Sequence, residues 1–143
     1  MDSPILAPVV VLVAWSLVMW LWLYATRLPA MRRMEIKLDP QVPPRALMEQ
    51  LPASARWKAD NYNHLMEQPT IFYAVALVLA ISDAGSGLNL ILAWSYVILR
   101  IVHSLFQSLV NNIPVRFAIF TLSTLCLFGL TWGALRVVFH LEG

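Results

Sequence analysis

Apolar residues fall in four long runs, broken by one long polar stretch and two short turns. A spanning helix needs about 20 mostly apolar residues to cross a hydrocarbon core about 30 Å thick. Ile5 to Tyr24 meets that length without a charge, and Pro4 and Pro8 stand in its first turns, where proline is tolerated. The pattern predicts further spans over 61–81, 88–110 and 113–139, the last opening on Pro114. Asp83-Ala84-Gly85-Ser86-Gly87 reads as the turn between spans two and three, and Asn111-Asn112 as the turn between spans three and four. The stretch 27–60 is polar and contains Pro29, Pro43, Pro44 and Pro52. It reads as a surface loop with a short interfacial helix around 45–51. There is no heptad array, repeat or low-complexity tract.

Composition sharpens this picture. The chain is 59% hydrophobic and 13% charged, whereas soluble domains carry about 25% charged and 45–50% apolar residues. A soluble all-helical protein of this length has too little polar surface to cover four such runs. A disordered tail and most soluble enzymes are excluded on the same ground. The pI near 9.0 comes with a net charge of only +2, too small a field for nucleic acid. Cys126 is the single cysteine and forms no internal disulfide, and no CxxC or His/Cys cluster suggests a metal. The expectation is one all-α domain over 1–143, a four-helix bundle in the lipid bilayer.

Seven of the ten Lys and Arg lie in the stretch 27–60. Basic residues stay cytoplasmic, which puts the long loop and the Asn111-Asn112 turn on the cytoplasmic side and both termini opposite. The amino terminus lacks the layout of a cleaved signal peptide, so span one reads as permanent. With no transit or retention signal, a bacterial inner membrane is expected.

Ionisable groups at membrane depth cost about 2.5–3.5 kcal/mol each on insertion scales and normally face a protein interior or a wet cavity. In span two, Asp60, Asn63, His64 and Glu67 recur at helical spacing and are expected on one face. In span three, Arg100, His103, Ser104, Gln107 and Asn111 do the same, and Arg116 opens span four. At about 1.5 Å per residue, Glu67, Arg100, His103, Gln107 and Arg116 all fall in the cytoplasmic half of a bundle. Glu67 and Arg100 form the obvious neutralising pair. Such a network is either glue between helices or a ligand site. The excess of two arginines over one glutamate leaves a cation for an anionic ligand. Cys126, mid-span among apolar residues, reads as packing, Trp15, Trp20, Trp22 and Trp94 as lipid or interface contacts, and Gly129-x-x-x-Gly133 as a close helix contact.

The stretch Asn61-Tyr-Asn-His-Leu-Met-Glu67-Gln-Pro-Thr-Ile-Phe72 resembles the second-helix signature of the MAPEG family, the membrane-associated proteins in eicosanoid and glutathione metabolism. Arg100-Ile-Val-His103-Ser104 and Pro114-Val-Arg116 are similar to that family's third-helix pattern and to the arginine that opens its fourth helix. The resemblance spans nearly the whole chain and is that of a divergent, bacterial-type member. It implies a homotrimer of four-helix protomers that bind glutathione between subunits in the cytoplasmic half of the membrane. It implies binding roles for Asn63, His64, Glu67, Arg100, His103 and Gln107, and for Arg116 the stabilisation of the glutathione thiolate. A cation beside a thiol favours the thiolate, which gives this last role its chemistry.

The chain also departs from the family pattern. Asp60 and Asn63 stand where eicosanoid-type members carry arginines, His64 where the asparagine is usual, Gln107 in place of a tyrosine, and Phe117 and Phe120 where some members carry hydroxyls. Cations that could replace the lost arginines are Arg32, Arg33, Arg56 and Lys58. Two functions follow. One is a glutathione-dependent transferase or peroxidase acting on lipophilic electrophiles. The other is a non-catalytic membrane protein of MAPEG fold that binds a lipid or quinone or serves as a subunit of a larger assembly.

Overall fold

The computed structural model describes residues 3–37 and 39–141. Helix α1 runs Leu6–Arg33, α2 Pro44–Met48, α3 Ala53–Glu67, α4 Pro69–Ile81, α5 Leu88–Leu105 and α6 Ile113–Val138, with a π-helical segment Phe106–Val110 continuing α5. Four helical stretches are long and apolar enough to cross a membrane: Leu6–Arg33, Ala53–Ile81, Leu88–Val110 and Ile113–Val138. The second combines α3 and α4, which meet at Pro69; proline has no N–H to carry the helical ladder through and suits the start of a new helix.

Two helix ends differ from the sequence reading. α1 continues to Arg33, and α3 starts at Ala53 rather than Asn61, so the connector is 34–52 and not 27–60. Nothing in these polar turns matches a membrane pattern, but apart from Pro29, which stands inside α1, most of the residues (Ala, Arg, Leu, Met, Lys) are good helix formers. Ala30, Leu51 and Ala55 are buried together, with Met31, Ile36 and Met48 packed on them. This small cluster holds the connector and its one short helix, α2, against the ends of α1 and α3.

The main core joins Leu12 of α1, Leu65 and Phe72 of α3 and α4, Tyr96 and Val97 of α5, and Leu130 of α6. α5 and α6 pack most closely. A Cβ at Gly129 would come within 2.9 Å of Leu92 Cδ1, and one at Gly133 within 2.5 Å of Asn89 Oδ1. The two glycines therefore serve a contact inside the protomer. Outward-facing Val10, Leu17 and Leu21 of α1 and Leu122, Leu125 and Phe128 of α6 are exposed apolar side chains, suited to lipid.

The turns sort to two ends of the bundle. Gly85, in the α4–α5 turn, lies against Ser3 and Ile5, and Arg136 and Leu141 share a cleft with Ser86 and Leu88. The first and last described residues are thus beside the α4–α5 turn. The connector 34–52 and the Asn111-Asn112 turn occupy the other end. Asn111 takes a left-handed conformation (φ 54) and Asn112 caps α6, its Oδ1 accepting from the Val115 N–H at 3.3 Å.

Candidate functional site

α3 carries its polar residues on two faces. Arg56, Asp60, Asn63 and Glu67 recur at intervals of three and four and line one side of a cavity of about 660 Å³ at the connector end. α1 adds Arg27, and the α2 region adds Arg45 and Glu49, with Met48 and Leu51 as apolar lining. Three arginines and three carboxylates thus face one space. Among the described residues the one ion pair is Arg45 Nε to Glu49 Oε1, at 3.8 Å and well exposed, a geometry that contributes little. The Arg27 guanidinium lies 5.8 Å from the Tyr24 ring centroid, and its buried Nε makes no hydrogen bond among the described residues.

The other face of α3 turns inward to α5 and the π segment. Asn61 and Leu65 are buried there, and His64 is half-buried. Arg100, fully buried, donates from Nη2 to the His64 carbonyl at 3.4 Å and lies 5.8 Å from the Phe120 ring centroid. The His103 ring is 5.5 Å from that of His64 and 6.2 Å from that of Phe120. Ser104, Gln107 and Ser108 complete this buried row. A π turn widens the helix by a residue, and such turns recur at functional sites; here it brings the adjacent Gln107 and Ser108 both inside.

These groups are rich in unused donors and acceptors. Arg100 Nε and Nη1, His103 Nδ1, Ser104 Oγ, Ser108 Oγ, Gln107 Oε1 and the Asn61 amide make no hydrogen bond among the described residues. Native proteins rarely leave buried polar atoms unmatched, and a buried cation needs a counter-charge or several acceptors. Chemically, the row can hold an acceptor-bearing group from outside the chain.

The structure corrects several expectations. Asp60, Asn63, His64 and Glu67 do not share one face: three line the cavity, and His64 faces inward. The Glu67–Arg100 ion pair is not formed, because Glu67 is exposed on the cavity side while Arg100 reaches inward to His64. Arg116 donates from Nη1 to Asn111 Oδ1 at 2.6 Å, so the α5–α6 turn holds it. Of the replacement cations, Arg56 lines the cavity, and Arg32 and Arg33 stand exposed in the last turn of α1. Lys58 is committed elsewhere: it donates to the Ser54 carbonyl at 3.2 Å and the Ser108 carbonyl at 3.4 Å, and lies 5.0 Å from the Trp22 ring centroid.

Several residues of the site escaped the sequence reading, Glu49 of the cavity and Ser108 of the buried row among them. Arg27 and Arg45 counted only toward loop charge, and no local pattern ties them to α3. Gln68 had a usable signal, a polar side chain inside a span. It accepts from the Tyr96 hydroxyl at 3.1 Å and donates to Thr124 Oγ1 at 3.0 Å, tying the α3–α4 junction to α5 and α6.

Compared with curated proteins and with solved structures, the chain finds no match. Compared with family models, it matches the MAPEG family over residues 5–136. That match takes in nearly the whole chain, from the start of α1 into the last turn of α6. With four helices fit to cross a bilayer, the chain belongs to the MAPEG family and is an integral, multi-pass membrane protein.

Proposed function

We propose that this chain is a glutathione-dependent transferase or peroxidase acting on lipophilic electrophiles in the membrane. The observation that carries the reading is the mixed-charge cavity at the connector end. Its volume of about 660 Å³ suits a small-molecule site. Glutathione presents two carboxylates and one ammonium, and Arg27, Arg45 and Arg56 line the same space as Glu49, Asp60 and Glu67. The arginines missing at positions 60 and 63 are thereby offset from α1, the α2 region and the start of α3. The buried row of Arg100, His103 and Gln107, with its unused donors and acceptors, supports further contacts to the peptide.

Arg116 is the residue assigned to the thiolate. Asn111 takes one of its N–H groups and leaves others for a sulfur. The thiol gives its proton to solvent, and the thiolate forms a bond to the electrophilic carbon while the leaving group departs with its electron pair. With a hydroperoxide as acceptor, two glutathiones are oxidised to the disulfide, and the peroxide is reduced to alcohol and water. The hydrophobic substrate arrives from lipid along the apolar outer faces.

Asn63 and Glu67 are exposed on the single protomer within a membrane-spanning helix. Polar groups at that depth require cover, and a second and third copy of the chain provide it in a homotrimer. The basic residues gathered at this end, Arg27, Arg32 and Arg33 of α1, Lys37 and Arg45 of the connector, and Arg56 and Lys58 of α3, support a cytoplasmic side for it.

One observation favours the non-catalytic reading: the Phe120 ring, not a hydroxyl, packs beside His64 and His103. Calorimetric titration of the detergent-solubilised protein with glutathione, together with thiolate ultraviolet absorbance at neutral pH, separates the two. Saturable binding with thiolate formation, the latter lost in Arg116→Ala, is the expected result. Binding without thiolate favours the non-catalytic protein, and no binding at millimolar glutathione removes the enzyme reading.

A further inference from the structure

We infer that Arg56 and Asp60 together recognise a zwitterionic α-amino-acid head, so that a free amino group, and not negative charge alone, selects the peptide this cavity accepts. The inference rests on the glutathione reading above and adds the specificity that reading lacks.

Arg56 and Asp60 stand one turn apart on α3, about 6 Å along the axis, and both line the cavity. An arginine and an aspartate at this spacing can reach each other. They do not: among the described residues the one ion pair is Arg45 with Glu49. Both side chains are therefore available to the same space, one donating and one accepting.

An α-amino acid carries its ammonium and carboxylate on a single carbon. The carboxylate fits the planar fork of Arg56, and the ammonium, one atom away, falls to Asp60; both contacts are charge-assisted hydrogen bonds. The γ-glutamyl end of glutathione is such a head. The far carboxylate of the extended peptide is left for Arg27, on a different helix.

The same wall disfavours the wrong ligand. Asp60 and Glu67 flank Asn63 on α3, and a ligand carrying carboxylates alone brings no ammonium to offset their negative charge beside it. Discrimination of this kind comes from repulsion as much as from attraction.

The test compares glutathione with glutaryl-cysteinylglycine, the same peptide without its amino group, by calorimetry on the full-length detergent-solubilised protein. The native protein is expected to bind glutathione at least about tenfold more tightly, a difference of about 1.4 kcal/mol. Asp60→Asn should reduce the preference to about twofold or less, and Asp60→Arg should reverse it. Arg56→Gln should weaken both peptides, since both keep a carboxylate at that end. Asp60 is exposed, and unchanged melting temperatures confirm that the variants fold. Equal affinity of the native protein for the two peptides, with glutathione binding intact, overturns the inference and leaves the glutathione reading standing. A preference that survives Asp60→Asn overturns it as well. Binding of neither peptide overturns both.

Discussion

Arg100 offers the sharpest separation of ligand binding from architecture. A charged side chain at the centre of a spanning helix costs about 2.5–3.5 kcal/mol on insertion scales. Within the protomer Arg100 recovers little of this. Its hydrogen bond to the His64 carbonyl is long, 3.4 Å, and falls short of the about 1.5–3 kcal/mol of a well-formed bond to a charged group. Its approach to Phe120, at 5.8 Å, adds about 0.5–2 kcal/mol. Methionine fills much of the same space without a charge, and replacing a buried ion with an apolar residue of similar volume is commonly neutral or stabilising. Arg100→Met in the ligand-free protein should therefore hold stability or raise it by up to about 2 kcal/mol, a rise in melting temperature of up to about 7 °C. Circular dichroism melting in detergent measures this, with calorimetry alongside. Glutathione affinity should fall at least about tenfold, the loss of one charge-assisted contact. A fall of more than about 5 °C accompanied by loss of assembly would refute the reasoning. It would show that the buried cation has its counter-charge within the assembled protein and belongs to the architecture.

Gly133→Ala should destabilise the protein by about 1–3 kcal/mol, the usual cost of overpacking, because the added Cβ meets Asn89 Oδ1 while Asn89 Nδ2 donates to the Ala84 carbonyl at 2.9 Å. Gly129→Ala, which meets only the flexible tip of Leu92, should cost less, and equal melting temperatures for the two would contradict this ranking. Gln68→Leu strands the Tyr96 hydroxyl and should cost about 1–3 kcal/mol. Adding Tyr96→Phe removes the stranded group, so the double variant should be less destabilised than the two single changes summed; strict additivity would show that the Tyr96–Gln68 bond does not couple α5 to the α3–α4 junction.

Some of this molecule is legible without coordinates. Hydrocarbon thickness imposes a minimum apolar length, so the four spans and the turns at 83–87 and 111–112 follow from run length alone. A charge in oil must face protein, and this explains why Arg100, His103, Ser104 and Gln107 could be placed together on the buried side of one helix. Other features depend on partners distant in the chain. The polar ends of α1 and α3 are helical where Ala30, Leu51 and Ala55 meet, a contact invisible to a local hydropathy pattern. Periodicity groups Asp60, Asn63, His64 and Glu67 together, but which neighbour each one faces is settled by how α1, α2 and α5 pack around α3. The cavity draws its arginines from three separate elements, Lys58 is taken by Trp22 and the Ser108 carbonyl, and Arg116 by Asn111. A helix's burden of polar groups is a one-dimensional property, whereas the pairing of charges is a matter of distance, and distances between helices exist only once the bundle has closed.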